Sequence, residues 1–274
     1  MNKNNLKINY WFLLAIFGVM SVSGAVAIFF SFKTNAVANQ KIEILSEAKR
    51  PANLDLVMIT DQTCKDCFDL TSVINNLKKE NIKITSEKNI DSTGDEGKQL
   101  IAKFAIKKLP AFTVSGELKK NSILSQFFSK TGDINDGTFV FRQVGGPYVS
   151  TENGKVKGRI NLILITDITC SDCYDVTNHE TILKQFGMQP KVSALDIKSA
   201  AGIVLKNKYG IKMAPTFVMT GDVNEYPGLK SAWPEVGMIA YDGAYVFTKG
   251  VPFMGVYKNL TTNKVVTSSP STAK

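Results

Sequence analysis

Short apolar runs recur along the chain, and each is followed by a stretch with helical spacing. Residues 54–60 read LDLVMIT and residues 160–166 read INLILIT, and both runs are rich in long or β-branched apolar side chains. Nearly continuous apolar runs of this length are typical of buried strands. After the first run, Leu70, Ile74 and Leu77 lie three or four residues apart, which predicts an amphipathic helix over residues 67–79.

The same alternation continues through the rest of each half. The sequence predicts a second strand, a second helix and a third strand that opens with proline, at residues 82–90, 95–106 and 109–114 and again at residues 191–197, 199–211 and 214–219. Alternating strands and helices with short connections predict an α/β fold with a central mixed sheet flanked by helices. No amphipathic helix is evident in the roughly twenty residues after each third strand.

The two halves are copies of one another. Cys170 follows Cys64 after about 105 residues, and DGTFVF at residues 136–141 is repeated as DGAYVF at residues 242–247. A period near 105 residues is too long for a solenoid repeat and indicates a duplicated domain. Turn-forming residues between positions 146 and 157 mark the boundary between the copies. The predicted domains are residues 53–150 and residues 151–274.

An apolar segment precedes the duplicated part. Residues 10–32 contain no charged side chain, and a helix of this length is roughly 34 Å long, enough to cross a bilayer core. We expect a cytoplasmic N-terminus over residues 1–9, a transmembrane anchor over residues 10–32 and a polar linker over residues 33–52. The alternative is a cleaved signal peptide, because AVA at residues 36–38 has the spacing of a cleavage site. Either arrangement places both copies outside the cytoplasm, in a single-pass protein of the cell membrane or in a secreted one.

Composition and charge narrow the functional classes. Hydrophobic residues make up 44% and charged residues 21% of the chain, which is typical of folded domains and not of disordered tails. The formal net charge is +9, but the lysines are scattered and no run of basic residues is longer than two. Nucleic-acid sites need clustered positive charge, so this balance indicates a solvated surface and no nucleic-acid partner.

All four cysteines occur in two CxxC motifs. Cys64 and Cys67 form the first motif and Cys170 and Cys173 the second, and each follows a predicted strand at the start of a predicted helix. Two intervening residues allow the sulfurs to form a disulfide. At a helix N-terminus, free N–H groups and the helix dipole would lower the pKa of the first thiol and make it a nucleophile. We therefore expect Cys64 and Cys170 to attack a substrate disulfide, and Cys67 and Cys173 to resolve the mixed disulfide.

Each copy resembles a thioredoxin-like domain in its CxxC motif and in a proline about 45 residues later. The matching residues are CKDC with KLPAF in the first copy and CSDC with MAPTF in the second. The resemblance implies that Pro110 and Pro215 are cis and face the cysteine pairs. It also implies that Leu109 and Ala214 offer backbone groups to a bound peptide. The activity that it implies is thiol–disulfide oxidoreductase or disulfide isomerase chemistry, with redox-active disulfides and no cofactor.

Charged residues near each motif are expected to tune its reduction potential. Asp66 and Asp172 would repel a nearby thiolate and favour the disulfide, which predicts a reducing poise; their alternative role is to cap the following helix. Lys65 would oppose this repulsion in the first motif alone. Asp61 and Asp167 could transfer a proton to the resolving cysteine or stabilise the turn.

Two other interpretations of the motifs remain open. Two CxxC pairs can hold zinc, but such pairs normally lie about 15–20 residues apart within one small unit, so no metal is expected. Alternatively, the cysteines form inert disulfides in a binding module outside the cytoplasm. Closing so short a loop removes little chain entropy, which favours exchange chemistry. His179 is the only histidine and is expected on the surface, away from the cysteines.

The predicted function is therefore extracytoplasmic thiol–disulfide exchange by a membrane-anchored chain with two tandem thioredoxin-like domains. The expected partners are cysteine-containing protein substrates and an electron partner in the membrane or outside the cytoplasm. The residues do not indicate whether the exchange runs towards oxidation, reduction or isomerisation.

Overall fold

The computed structural model describes residues 40–120 and 122–267, and a second compact unit begins at Ala52. Before it, residues 40–49 form a helix, α1, with exposed side chains, so the predicted linker is helical over its described part. Within the described residues, no helix is both long enough and apolar enough to span a membrane. The predicted anchor at residues 10–32 lies outside the described residues.

The first repeat is built on a five-stranded sheet with the order β2-β1-β4-β6-β5. β1 pairs with β2 in parallel and with β4 in antiparallel orientation. A separate three-stranded sheet, β3-β7-β8, carries the chain towards the second repeat. The elements are β1 (Ala52–Thr60), α2 (Thr71–Lys78), β2 (Ile82–Asp91), α3 (Asp95–Lys103), β3 (Lys108–Leu109), β4 (Ala111–Gly116), α4 (Ser122–Thr131), β5 (Gly132–Asn135), β6 (Thr138–Phe141), β7 (Tyr148–Ser150) and β8 (Val156–Lys157).

The second repeat has the same topology. Its five-stranded sheet has the order β10-β9-β12-β14-β13, and its three-stranded sheet the order β11-β15-β16. The elements are β9 (Ile160–Thr166), α5 (Asn178–Gln185), β10 (Lys191–Asp196), α6 (Ala200–Tyr209), β11 (Met213–Ala214), β12 (Thr216–Gly221), α7 (Pro227–Val236), β13 (Gly237–Ile239), β14 (Tyr245–Phe247), β15 (Tyr257–Asn259) and β16 (Lys264–Val266). Two short 3-10 helices span Val223–Glu225 and Val251–Phe253.

This arrangement confirms the predicted α/β class and is consistent with two thioredoxin-like domains. It adds α4 and α7, which lie in the stretches where the sequence showed no clear helix. Each helix buries a pair of large side chains four residues apart, Leu124 with Phe128 and Leu229 with Trp233. These pairs are the periodic signal for the two helices. Each pair covers only a narrow stripe between polar residues, which is why the pattern is weak.

Stacked aromatic rings form part of the core in both repeats. Phe112 stacks on Phe141 with ring centroids 4.7 Å apart, and the equivalent Phe217 stacks on Phe247 at 4.9 Å. All four side chains are buried. Burial of a phenylalanine side chain contributes roughly 1.5–3 kcal/mol, so these pairs are major contributors to each core. The duplication therefore extends from topology to side-chain packing.

His179 lies in the second core, so the prediction of a surface position is wrong. It is 3% exposed, and its ring centroid lies 4.6 Å from those of Phe217 and Phe247. Burial lowers the pKa of His179 to about 4, because the charged imidazolium would lose its hydration there. The signal was available in the sequence: His179 lies four residues before Leu183, which is buried on the same face of α5.

Hydrogen bonds join the two repeats around the segment between them. Tyr148 Oη donates to Glu225 Oε2 at 2.5 Å, and Tyr226 Oη donates to the carbonyl of Gly158 at 2.6 Å. Gly146 approaches this cluster so closely that an added Cβ would lie 2.2 Å from Tyr226 Oη. Only glycine fits at Gly146 without displacing the tyrosine ring, so the contact depends on a residue that has no side chain.

We expect the free energy of unfolding to fall as the pH is lowered from about 6.5 to about 4. In that range the imidazole of the unfolded chain binds a proton and the buried imidazole of His179 does not, so acid favours unfolding. The loss for this one group between pH 7 and pH 4.5 is on the order of 2–3 kcal/mol. His179→Phe should remove most of this contribution, as measured by urea unfolding at both pH values.

The difference between the two proteins is the relevant measurement, because carboxylates also titrate in this range and do so equally in both. If wild type and His179→Phe lose the same stability between the two pH values, the histidine is not buried in neutral form. The single imidazole C–H resonance gives an independent check, since it should not titrate near pH 6.5.

Candidate active site

Both CxxC motifs are closed as disulfides in loops that follow the central strands of the two sheets. Cys64 is bonded to Cys67 and Cys170 to Cys173, with a Cα–Cα distance of 5.4 Å in each pair. The loops begin where β1 and β9 end. In the described part of the chain, no group of three or more His, Cys, Asp or Glu side chains is arranged to hold a metal ion.

The cysteines do not lie at helix N-termini, so that prediction is wrong. α2 begins at Thr71, seven residues after Cys64, and α5 begins at Asn178, eight residues after Cys170. A helix dipole acts over about one turn, so it does not reach the first sulfur of either motif. The sequence carried a signal for the later start: Asp69 Oδ1 accepts a hydrogen bond from the Thr71 N–H at 2.8 Å, as at a helix cap.

An aspartate three residues before each first cysteine shapes the loop. Asp61 Oδ1 accepts hydrogen bonds from the N–H and the hydroxyl of Thr63 at 2.9 and 2.5 Å. Asp167 Oδ1 accepts the same pair from Thr169 at 3.0 and 2.5 Å. These bonds form an Asx turn, in which an aspartate side chain replaces a backbone acceptor. The turn role proposed for both aspartates is therefore visible in the structure.

A cis proline faces each motif. The Leu109–Pro110 and Ala214–Pro215 peptide bonds are both cis. At the first motif, a cavity of about 300 Å³ is lined by both cysteines together with Leu109 and Pro110. At the second motif, Cys173 Sγ lies 3.9 Å from the carbonyl oxygen of Ala214. The structure thus brings the residues that sequence reasoning selected into two equivalent sites.

The residue after each resolving cysteine is tied to a neighbouring segment. Phe68 N–H donates to the carbonyl of Pro147 at 2.6 Å, and Tyr174 N–H donates to that of Val256 at 2.8 Å. The Tyr174 hydroxyl also donates to the carbonyl of Pro215 at 2.9 Å. Each loop is therefore held from both sides, by the proline strand and by the segment that leads into β7 or β15. Preorganised loops of this kind keep the two sulfurs in exchange geometry.

The second site contains a buried ion pair that the first site lacks. Lys258 is 7% exposed, and its Nζ lies 3.1 Å from Asp167 Oδ2 and 2.9 Å from Thr169 Oγ1. Burial alone would raise the pKa of Asp167, but hydrogen bonds from Thr169 and Lys258 outweigh it and hold the pKa below its usual value. Val149 occupies the equivalent position on β7. Sequence reasoning missed Lys258 because it is remote from the motif along the chain.

An arginine from the segment between the repeats reaches the first site. Arg159 Nε and Nη2 each lie 2.9 Å from a carboxylate oxygen of Asp66, and Asp66 Oδ1 lies 3.6 Å from Cys64 Sγ. The Arg159 hydrogen bonds hold the pKa of Asp66 below its usual value. Both side chains are more than half exposed, so solvent screens the interaction. Sequence reasoning missed Arg159 because 93 residues separate it from Asp66.

The spacer aspartate of the second motif has a different environment. Asp172 Oδ1 accepts a hydrogen bond from the Ser171 hydroxyl at 3.2 Å. Within residues 40–120 and 122–267, neither Asp172 nor Lys65 forms an ion pair. The predicted repulsion between a thiolate and a spacer aspartate therefore applies to the second motif. In the first motif the guanidinium of Arg159 offsets it, where sequence reasoning had assigned that effect to Lys65.

We expect Arg159→Ala to slow alkylation of Cys64 in the reduced full-length protein by roughly two- to fivefold near neutral pH. Without the guanidinium, the Asp66 carboxylate stands uncompensated beside Cys64, which raises the thiol pKa and lowers the thiolate fraction. The rate at Cys170 should not change. Mass spectrometry of the two cysteine-containing peptides separates the rates, and the pH profile should shift to higher pH for Cys64 alone.

The matched control is Lys155→Ala, which removes a neighbouring positive charge that does not contact the motif. Arg159→Lys should restore part of the rate, and high salt should reduce the difference between wild type and Arg159→Ala. Equal slowing in Lys155→Ala would show that net charge, and not the pairing with Asp66, sets the reactivity.

No protein family model matches the chain, and a search of curated proteins found no match. Among solved structures, the chain is similar to the alkylhydroperoxide reductase protein AhpF from Enterococcus faecalis V583, with 14% identity, 69% of this chain and 90% of that chain covered, and a TM-score of 0.20. It is also similar to a protein disulfide oxidoreductase from Aeropyrum pernix K1, with 14% identity, coverage of 65% and 80%, and a TM-score of 0.17. These scores are low, so the fold assignment rests on strand order, the CxxC disulfides and the cis prolines.

Proposed function

We propose that the chain is an extracytoplasmic thiol–disulfide oxidoreductase that exchanges disulfides with cysteine-containing proteins. One observation carries the proposal: a CxxC disulfide faces a cis proline in both repeats, at the end of the same central strand. A disulfide that only stabilised the fold would not need this setting twice. Because a loop closed over two residues removes little entropy, its stabilising effect would also be small.

The exchange runs through a mixed disulfide. In the reduced protein, the Cys64 thiolate attacks one sulfur of a substrate disulfide, and the other substrate sulfur leaves as a thiolate. Cys67 then loses its proton and attacks Cys64 Sγ, which releases the second substrate thiolate and closes the Cys64–Cys67 disulfide. Two electrons pass from the protein to the substrate, and the reverse sequence oxidises a substrate dithiol. Cys170 and Cys173 act in the same way in the second repeat.

The proline strands would bind the substrate backbone. β3 and β11 are edge strands of their three-stranded sheets, so one side of each is unpaired within the described residues. An extended substrate segment can add to such an edge through main-chain hydrogen bonds. Leu109 and Ala214 are the residues of these strands that directly precede the cis prolines, which supports a role in presenting the substrate sulfur to the motif.

The cellular setting follows from the sequence. A transmembrane helix at residues 10–32 would hold both repeats outside the cytoplasm, with a cleaved and secreted form as the alternative. We propose that electrons reach or leave the motifs through a membrane or extracytoplasmic partner and that no cofactor takes part. The chain then acts on proteins that fold or function in an oxidising compartment.

We expect Cys67→Ser to accumulate a mixed disulfide at Cys64 when the protein is mixed with a peptide that contains one disulfide. Without the resolving thiol, the exchange stops after its first step. Cys173→Ser should do the same at Cys170. Intact mass spectrometry under non-reducing conditions measures the adduct, and a reductant should remove it.

The matched control is the double variant Cys64→Ser/Cys67→Ser, which retains the second motif and should form no adduct in the first. Folding of every variant is checked by circular dichroism. Should neither single variant form an adduct while both remain folded, the disulfides are structural and the chain is a binding module.

A further inference from the structure

The second repeat contains an apolar cavity that lies away from its cysteines. The cavity has a volume of about 500 Å³, which is within the usual range for small-molecule sites. It lies between α5, α7 and the 3-10 helix Val251–Phe253. Its lining includes Leu183, Phe217, Trp233 and Met254, and the exposed ring of Phe253 stands at its edge.

The ring of His179 is also part of this lining, and its protonation can be assigned from its neighbours. The Tyr174 hydroxyl has a single hydrogen, which it donates to the carbonyl of Pro215 at 2.9 Å. Tyr174 Oη also lies 3.1 Å from His179 Nε2. Since the hydroxyl hydrogen is already used, Nε2 must carry the hydrogen of that second bond. The neutral imidazole is therefore protonated on Nε2, and Nδ1 has a free lone pair.

No described group donates a hydrogen bond to Nδ1. The bonds of His179 are the one to Tyr174 and a backbone bond to Val176, and Nδ1 is not among the fully enclosed atoms without a partner. It therefore has contact with open space, and the cavity is the space that its ring lines. A buried acceptor without a donor costs free energy, which a suitable ligand would recover.

The features that build the cavity are specific to the second repeat. Phe68 and Val73 occupy the positions of Tyr174 and His179 in the first repeat, so neither the hydroxyl nor the imidazole has a counterpart. The connection between the last strand of the large sheet and the small sheet is also longer in the second repeat, at residues 248–256. This longer connection supplies the 3-10 helix that bounds the cavity.

We propose that this cavity binds a small uncharged aromatic compound that carries one hydroxyl or N–H donor. The apolar walls would accept the ring system, and the donor would bond to His179 Nδ1. An anionic ligand is disfavoured because the only ionisable side chain in the lining besides the histidine is Glu235. A fully charged group would also lose its hydration inside apolar walls. This site is independent of the redox proposal, because no cysteine lines it.

The cavity is connected to the second motif through one residue. Tyr174 follows Cys173 directly, and its hydroxyl bridges the imidazole and the cis proline strand. A donor on Nδ1 would polarise the ring and strengthen the bond from Nε2 to the hydroxyl. Ligand binding would therefore act on the residue that holds the second CxxC loop in place.

The test uses 1-naphthol, which combines an apolar double ring with one donor, and 1-methoxynaphthalene, which has the same rings and no donor. Titration into the full-length protein should shift the imidazole C–H resonance of the single histidine in a saturable way. By calorimetry, 1-naphthol should bind about three- to tenfold more tightly than 1-methoxynaphthalene. His179→Phe should abolish this preference and leave both compounds with similar affinity.

A second variant tests the location of the site. Ala232 is exposed on α7 and lines the cavity, so Ala232→Phe should weaken binding of both compounds without disturbing the core. The matched control is Ser231→Phe, one residue earlier on the same helix and outside the lining, which should bind both compounds normally. Three results would each overturn the proposal: no saturable binding of 1-naphthol, equal affinity for the two compounds in wild type, or undiminished binding in Ala232→Phe.

Discussion

The position of the reactive sulfurs depends on the antiparallel register between each central strand and the strand that follows the cis proline. Ile59 pairs with Ala111, and Ile165 pairs with Thr216. In both repeats the partner is the residue directly after the proline, and the isoleucine lies five residues before the first cysteine. The register therefore sets the proline opposite the loop that carries the disulfide. A shift by one residue would turn the proline strand over and bury the wrong face.

On this common frame, the two sites differ in the groups that surround the sulfurs. The first site has an exposed ion pair between Asp66 and Arg159, which solvent and salt weaken. The second has a buried pair between Asp167 and Lys258, together with the neutral imidazole of His179. Charges act more strongly where water is excluded, so the second site is less sensitive to the medium. Duplication thus preserved the backbone geometry while the chemistry around each disulfide diverged.

Much of the scaffold could be predicted from the chain alone. The apolar run that forms β1, the helical spacing of Ile74 and Leu77, and the recurrence of both motifs with a following proline are patterns within short segments. The errors in the scaffold were also local. The helices begin later than predicted because the Asx-type bond at Asp69 was not recognised as a cap, and α4 was missed because its apolar stripe is narrow.

The sequence on its own established the duplicated α/β architecture, the two cysteine pairs and the prolines that accompany them, because spacing and periodicity are properties of neighbouring residues. Only the tertiary structure decided which side chains meet at those pairs. Arg159 reaches Asp66, and Lys258 reaches Asp167, across about 90 residues of chain. Whether such groups are exposed, buried or paired depends on how the folded strands bring them together, and that determines their pKa values and their chemistry.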